Sequence, residues 1–222
     1  MNTPQSLVFV VDDDEPIRKA FSRLLGSAGY VVQTFGCAGD FLACADLTSQ
    51  PACLLLDLGL PDLSGIALQR RLPCRVPTIF VSGHVGARAA IAAMKAGATD
   101  FLLKPVDEAP LLEAVERALA LARQLFEQRA QNAEIQRRVA QLTPREREVM
   151  ALVVAGRPNK LVADELGAAE KTIKIHRARV MEKMRAGSLA DLVRLAERAD
   201  LDSPAAERGD ALAGSAEGRR FA

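Results

Sequence analysis

Cysteine and histidine are scarce in this 222-residue chain, and long apolar runs are missing altogether. The four cysteines, Cys37, Cys44, Cys53 and Cys74, form no CxxC pair, and the two histidines do not cluster with them. This excludes a structural zinc site or a disulfide framework, and the thiols read as small, reduced core residues. No segment approaches the ~18 consecutive apolar residues that cross a bilayer. The N-terminus also lacks the basic stretch and apolar core of a secretory signal. A soluble, cytoplasmic protein with no membrane partner is the expectation.

What is present is ample apolar material and unevenly distributed charge. Hydrophobic residues make up 49% of the chain, enough for one large core or two small ones. The formal net charge is +1. Residues 1–123 nevertheless hold 11 Lys and Arg against 13 Asp and Glu, whereas residues 143–200 hold 12 against 9. A slightly acidic module followed by a basic one suggests different partners for the two.

The first module alternates short apolar runs with helical spacing. Strands are expected at Leu7–Val11, Val31–Phe35, Cys53–Asp57, Thr78–Ser82 and Phe101–Leu103, all buried. Helices are expected at Glu15–Ala28, Ala38–Ala45, Ser64–Arg71 and Ala87–Ala96, and from Glu108 to Leu121. Strict alternation of this kind predicts a parallel sheet with right-handed crossovers, a flavodoxin-like (βα)5 domain. From Leu111 to Leu142 the chain has almost no glycine or proline, so the last helix of that domain is expected to continue into a connecting helix. Its apolar positions follow a 4-3 spacing, weakened by Gln128 and Asn132. Both a polar linker and a marginal dimeric coiled coil fit it.

The last part of the chain is helical. Thr143-Pro144-Arg145-Glu146 is a helix start, with Thr143 as cap and Glu146 reaching back to it. A short helix at Lys160–Leu166, a turn at Gly167 and a longer basic helix at Lys171–Arg185 make a helix-turn-helix pattern, followed by Leu189–Ala199. The expected organisation is therefore an α/β domain at 1–123, a helical linker at 124–141, an all-α domain at 142–200, and a disordered tail at 201–222 without periodicity.

In an open α/β sheet, ligands bind beyond the carboxyl ends of the strands. Those ends deliver Asp12 and Asp13 after strand 1, Asp57 after strand 3, Ser82 after strand 4 and Lys104 after strand 5. Crowded carboxylates raise one another's proton affinity unless a cation joins them. A hard divalent ion such as Mg2+ with oxygen ligands meets that need. A hydroxyl and an ammonium complete a set suited to a phosphoryl group, with Asp57 as nucleophile. The bland alternative for the acids is a solvated loop or a helix-cap cluster, and Asp14, ahead of Pro16, fits that role. His84 reads as an exposed loop residue.

The motifs VDDDEP, LLLDLGLPDLSG, FVSGH and DFLLKP, in this order, resemble the receiver domain of two-component response regulators over about residues 5–123. The resemblance implies that Asp57 is the phosphoacceptor. It implies that Asp13 binds Mg2+ directly, that Asp12 often does so through water, and that the Gly59 backbone carbonyl is a third ligand. It further implies that Ser82 and Phe101 are the switch pair, that Lys104 binds the phosphate, and that the Lys104–Pro105 bond is cis. Gly59 stands where the family usually has a larger side chain, and HVGARAA departs from the HGDVPMA-like run of close relatives.

In the same way, LTPREREVMALVVAGRPNKLVADELGAAEKTIKIHRARVMEKM is similar to the DNA-binding domain of LuxR/NarL-type regulators, and the whole chain is similar to the FixJ subgroup, near the styrene-responsive regulators. By position, Lys174, Ile175 and Ala178 would meet bases. Lys171, Thr172, Arg177, Arg179 and Lys183 carry or flank the basic face as phosphate contacts, with Lys160 a further one. His176 would contact the DNA backbone or pack. Pro158 replaces a common Ser or Thr cap.

These readings combine into a regulator that a sensor histidine kinase phosphorylates on Asp57 with Mg2+. The change would shift homodimerisation and binding to double-stranded DNA, with RNA polymerase as a possible further partner. Apart from self-phosphoryl transfer and slow autodephosphorylation, no enzyme activity is expected. One alternative is a phosphorylation-independent DNA-binding protein whose first domain only dimerises. Another is a small-molecule phosphohydrolase of flavodoxin-like fold.

Overall fold

A computed structural model of the chain describes residues 6–83 and 87–201. The expectations for His84 and for the tail from Asp202 fall outside the described residues. Five strands, β1 (Leu7–Val11), β2 (Val31–Phe35), β3 (Ala52–Asp57), β4 (Thr78–Ser82) and β5 (Asp100–Leu103), form one sheet in the order β2-β1-β3-β4-β5. Every pairing is parallel. Helices α1 (Glu15–Ser27), α2 (Ala38–Cys44), α3 (Gly65–Arg71), α4 (Ala87–Lys95) and α5 (Glu108–Ala140) connect or follow the strands.

The sheet is covered on both sides, and the two-residue period of the strands sorts their side chains between two cores. Phe9, Leu54, Leu56 and Phe80 face Phe41 of α2, Leu68 of α3 and Ala93 of α4. Val8, Val10, Leu55, Ile79 and Val81 face Phe21 and Leu25 of α1 and Leu111, Val115 and Ala118 of α5. β1, β3 and β4 are buried throughout, as their unbroken apolar runs imply. β2 and β5 are only half-buried, which corrects the expectation of five buried strands: both are sheet edges, with one flank open to water.

Cysteine placement also differs from expectation. Only Cys53 is buried, and burial pushes its thiol up to about 12. Cys44 is exposed at the end of α2, and Cys37 is the N-cap of that helix, where its sulfur accepts from the Asp40 N–H. All four are free thiols.

α5 is a single helix of 33 residues. The compact units divide within it, after Gln128. In the first unit, Leu111, Val115, Ala118 and Ala122 are buried, so that row of the 4-3 pattern is spent on packing against the sheet. In the second unit, Ile135 and Leu142 are buried and Val139 packs with them, inside the core of the helical domain. The apolar positions at both ends of the helix are thus occupied within the chain.

The second unit adds α6 (Pro144–Val154), α7 (Asn159–Glu165), α8 (Glu170–Met184) and α9 (Leu189–Leu201). Thr143 and Glu146 form the expected capping box at α6. Gly156 and Gly167 end α6 and α7 with positive φ of 78° and 61°, a backbone that favours glycine. α7 starts at Pro158 without a side-chain cap bond. Val149 and Val153 of α6, Val162 of α7, Ile173, Val180 and Met184 of α8 and Leu192 of α9 make the core. The last turns of α5 are bonded into this unit: the Arg138 guanidinium donates to the Met184 carbonyl at 3.2 Å, and the Gln136 amide to the Ala199 carbonyl at 2.7 Å.

Candidate functional site

The carboxyl ends of β1, β3, β4 and β5 bring their terminal residues to one end of the sheet. β1 and β3 are neighbours in register, Val11 beside Leu56, so the residues that follow them, Asp12 and Asp57, emerge side by side. Asp12 is 2% exposed and Asp57 8% exposed, an unusual depth for carboxylates. Lys104, directly after β5, spans the gap. Its Nζ lies 2.5 Å from Asp12 Oδ2 and 2.9 Å from Asp57 Oδ1.

The remaining oxygens are held as well. Asp12 Oδ1 accepts from the Asp14 N–H at 2.9 Å, and Asp57 Oδ2 accepts from the Gly59 N–H at 2.5 Å. Burial pushes the Asp12 carboxyl up from its ordinary value, against the opposing bonds from Lys104 and the Asp14 N–H. Burial also opposes the Lys104 charge, but the bonds to Asp12 and Asp57 outweigh it and hold the ammonium above its usual value. The two shifts pull in different senses: burial makes the Asp12 charge costly, whereas the carboxylate partners of Lys104 favour its charged form.

The other residues named from the sequence take the following places. Asp13 is exposed directly after Asp12, and Asp14 caps α1 by accepting from the Ile17 N–H. Ser82 is buried at the end of β4, and Phe101 of β5 is half-buried against the α2–α3–α4 side of the sheet. The Lys104–Pro105 bond is cis. A side chain at Gly59 would meet Asp57 Oδ2 at 3.2 Å, so glycine leaves that oxygen uncrowded.

Three supporting contacts were not anticipated. Arg18 Nη1 donates to the Asp12 carbonyl at 2.6 Å, which pins the acidic loop to α1. Asp62, in the loop after Asp57, accepts from the Ala38 and Gly39 N–H groups at 3.1 and 2.8 Å and ties that loop to the start of α2. These bonds hold the carboxyl of Asp62 below its ordinary value. No sequence pattern marks either contact: Arg18 lies six positions after Asp12, and nothing in the sequence marks Asp62. The third contact involves Gly65, where a Cβ would run into the Asp57 carbonyl oxygen, with Phe80 and Leu56 close behind at 3.1 and 3.2 Å. Gly65→Ala is therefore expected to destabilise the first unit by about 1–3 kcal/mol, read as a lower urea midpoint.

Mg2+ suits this donor set. Asp12, Asp13 and Asp57 set three carboxyl groups against one ammonium, an excess of hard oxygen donors of the kind a divalent ion takes. Among the described residues no group of three or more His, Cys, Asp or Glu side chains is placed to hold a metal ion by itself. Mg2+ does not need one, because it binds through one or two carboxylates and keeps its waters.

In the second unit, α8 lies with Ile173, Val180 and Met184 buried and the opposite face in water. Lys171, Thr172, Lys174, Ile175, Ala178 and Arg179 are all exposed there, and Ile175 is 48% exposed although apolar. Lys160 is exposed on α7. Arg177 is half-buried and donates to Asn159 Oδ1 at 3.1 Å, linking α8 to the start of α7. His176 is half-buried, with its Nδ1 enclosed, which fits packing. Lys183, named from the sequence as a phosphate contact, is half-buried and paired within the unit. Its Nζ lies 2.6 Å from Glu146 Oε2, a carboxylate 3% exposed, and donates to the Gln141 carbonyl at 3.2 Å. That ammonium is committed to holding α8 against the start of α6.

Residues 8–116 match the response regulator receiver domain, and residues 140–196 match the luxR family of bacterial regulatory proteins. Nodulation protein W of Bradyrhizobium diazoefficiens is 44% identical over 198 residues, covering 87% of this chain and 86% of that protein. Transcriptional regulatory protein FixJ of Rhizobium meliloti is 40% identical over 192 residues, covering 85% and 94%. The solved structure of the response regulator StyR overlays with a TM-score of 0.74 at 41% identity, covering 87% of this chain and 99% of that one. Among the described residues no helix is long and apolar enough to cross a membrane. With receiver and luxR-type domains in the same order and relatives matched along most of their length, the chain belongs to the two-component response regulators that carry a LuxR-type DNA-binding domain.

Proposed function

We propose that Asp57 is the phosphoacceptor and that its acyl phosphate controls how α8 engages double-stranded DNA. The observation that carries this reading is Lys104 bridging two buried carboxylates at the strand ends. A carboxylate oxygen of Asp57 attacks phosphorus, and the bond from phosphorus to a histidine nitrogen of the sensor kinase breaks. The electron pair stays on the imidazole, which takes up a proton. Lys104 then exchanges a carboxylate partner for a phosphoryl oxygen, so its charge is never left bare. Ser82 donates its hydroxyl to another oxygen, and Phe101 on the neighbouring strand follows that shift.

Asp13 and Asp57, with Asp12 and the Gly59 carbonyl, would hold Mg2+. When bound, the ion offsets charge on the phosphoryl oxygens. The activity is stoichiometric self-modification with slow hydrolysis; it is not turnover of a free substrate. Phosphorylation shifts the equilibrium between two states by its preference for one of them. Homodimerisation on paired half-sites is the expected output. RNA polymerase is a further partner of the DNA-bound protein in this reading, and the cytoplasm is its place of action.

On DNA, Lys174, Ile175 and Ala178 face the bases, and Lys171, Thr172, Arg179 and Lys160 face phosphates. Arg177 reaches the backbone only if it leaves Asn159. Footprinting with and without acetyl phosphate and Mg2+ tests the reading: protection at lower protein concentration with donor supports it, and identical footprints contradict it. Lys174→Ala is expected to weaken specific binding by roughly 1–3 kcal/mol while leaving non-specific affinity nearly unchanged, measured by titration against specific and scrambled duplexes.

A further inference from the structure

The exposed face of α8 is mostly basic; its acids are one at its N-terminal end and one near its C-terminal end. Glu170 is the first residue of the helix, and its carboxylate Oε1 lies 3.0 Å from the Lys174 ammonium one turn on. Both side chains stand in water, 47% and 62% exposed. They sit beside Lys171 and Ile175, away from the buried Ile173, Val180 and Met184. The next acid on α8, Glu182, comes three turns later.

A negative charge is costly on a surface that meets phosphates. A carboxylate can only accept hydrogen bonds and an ammonium can only donate them. In the major groove a C·G pair presents the mirror of that arrangement, a cytosine N4 donor next to the guanine O6 and N7 acceptors. In a helix-turn-helix, the N-terminal residues of the second helix reach the base edges. Glu170 and Lys174 occupy that end, already paired, with acceptor and donor at hydrogen-bond separation.

We infer that Glu170 is a specificity-determining residue: it accepts from a cytosine amino group while Lys174 donates to the paired guanine, so that the two side chains together read one C·G pair in each half-site. The inference rests on α8 being the recognition helix. The carboxylate costs non-specific affinity everywhere and returns it at one sequence, which converts a general phosphate binder into a discriminating one. Lys174 alone would favour guanine on electrostatic grounds; the acceptor beside it penalises pairs that offer no amino donor at that edge.

Selection of binding sites from a randomised duplex pool with the full chain, using wild type, Glu170→Gln and Glu170→Asp, tests this. Wild type is expected to enrich a C·G pair at one position per half-site. Both variants should lose that preference roughly 5- to 150-fold, the range for one well-made base contact, with other positions unchanged. Glu170→Asp keeps the negative charge at the helix start but shortens its reach, so it separates base reading from support of the helix dipole. If Glu170→Gln tightens binding to every sequence by the same factor, or if Glu170→Asp selects the same sites as wild type, Glu170 reads no base and the inference fails. If wild type enriches no sequence at all, α8 is not a recognition helix and the functional reading fails with it. Thermal melting of each variant verifies that the domain is folded.

Discussion

Asp57→Asn is expected to abolish the response of DNA binding to a phosphoryl donor. In wild type, acetyl phosphate with Mg2+ should tighten binding to a specific duplex by roughly 5- to 150-fold, the range typical of a single allosteric coupling. In the variant the ratio of affinities with and without donor should be one. The substitution removes the nucleophile and one charged candidate ligand of Mg2+. An amide at this position still offers an oxygen to the Lys104 ammonium, which lies 2.9 Å from Asp57 Oδ1. It gives up the charged acceptor for the Gly59 N–H. Lys104 keeps its ion pair with Asp12, so the cluster does not lose its anchor. Electrophoretic shift titrations at fixed ionic strength measure the effect, since phosphate contacts make every affinity salt-dependent. A variant that still tightened on addition of donor would move the acceptor elsewhere.

Glu146→Ala is expected to destabilise the DNA-binding unit by about 2.5–4 kcal/mol, from a charge-assisted bond of roughly 1.5–3 and a lost cap of about 1. The side chain is 3% exposed, accepts from the Thr143 N–H at 2.9 Å, and pairs with Lys183 at 2.6 Å. The bond from Lys183 and then that from Thr143 hold its carboxyl at about 2, against an ordinary 4.5. A depressed carboxyl contributes stability that is fully present above its unfolded value and is lost as pH falls through its folded value. Wild type should therefore lose stability between about pH 4.5 and about pH 2, and Glu146→Gln should flatten that part of the profile. Chemical denaturation followed by circular dichroism across this range reads both effects. Lys183→Ala should reproduce much of the loss, because it strands a buried carboxylate. Equal stability of wild type and Glu146→Ala would mean that the pair is not formed in solution.

Much of the fold could be read from the sequence because its signals agree with one another. Unbroken apolar runs at Val8–Val11 and Leu54–Leu56 call for strands covered on both faces, and the helical segments between them supply the cover. That topology by itself brings Asp12, Asp57, Ser82 and Lys104 to one end of the sheet, so the candidate site followed from strand order. The misreadings share a different origin. Phe101–Leu103 looks as apolar as the central strands, and in Val31–Phe35 only Gln33 and Thr34 interrupt the apolar run, but edge position is decided by pairing, which neither run states. Lys183 is a separate case: it looks like its basic neighbours along α8, and its pairing with Glu146, 37 residues away, is not visible in that local pattern. The 4-3 spacing of α5 was ambiguous because a sheet-facing stripe and a coiled-coil seam use the same period. Its occupants Leu111 and Val115 went to the sheet core.

Peptide mass spectrometry of the purified chain after incubation with acetyl phosphate, with and without Mg2+, tests the central claim most directly. One phosphoryl group on the peptide containing Asp57, formed only when the divalent ion is present, is the predicted result. An unmodified Asp57 under those conditions, or a modification at some other residue, would contradict the account.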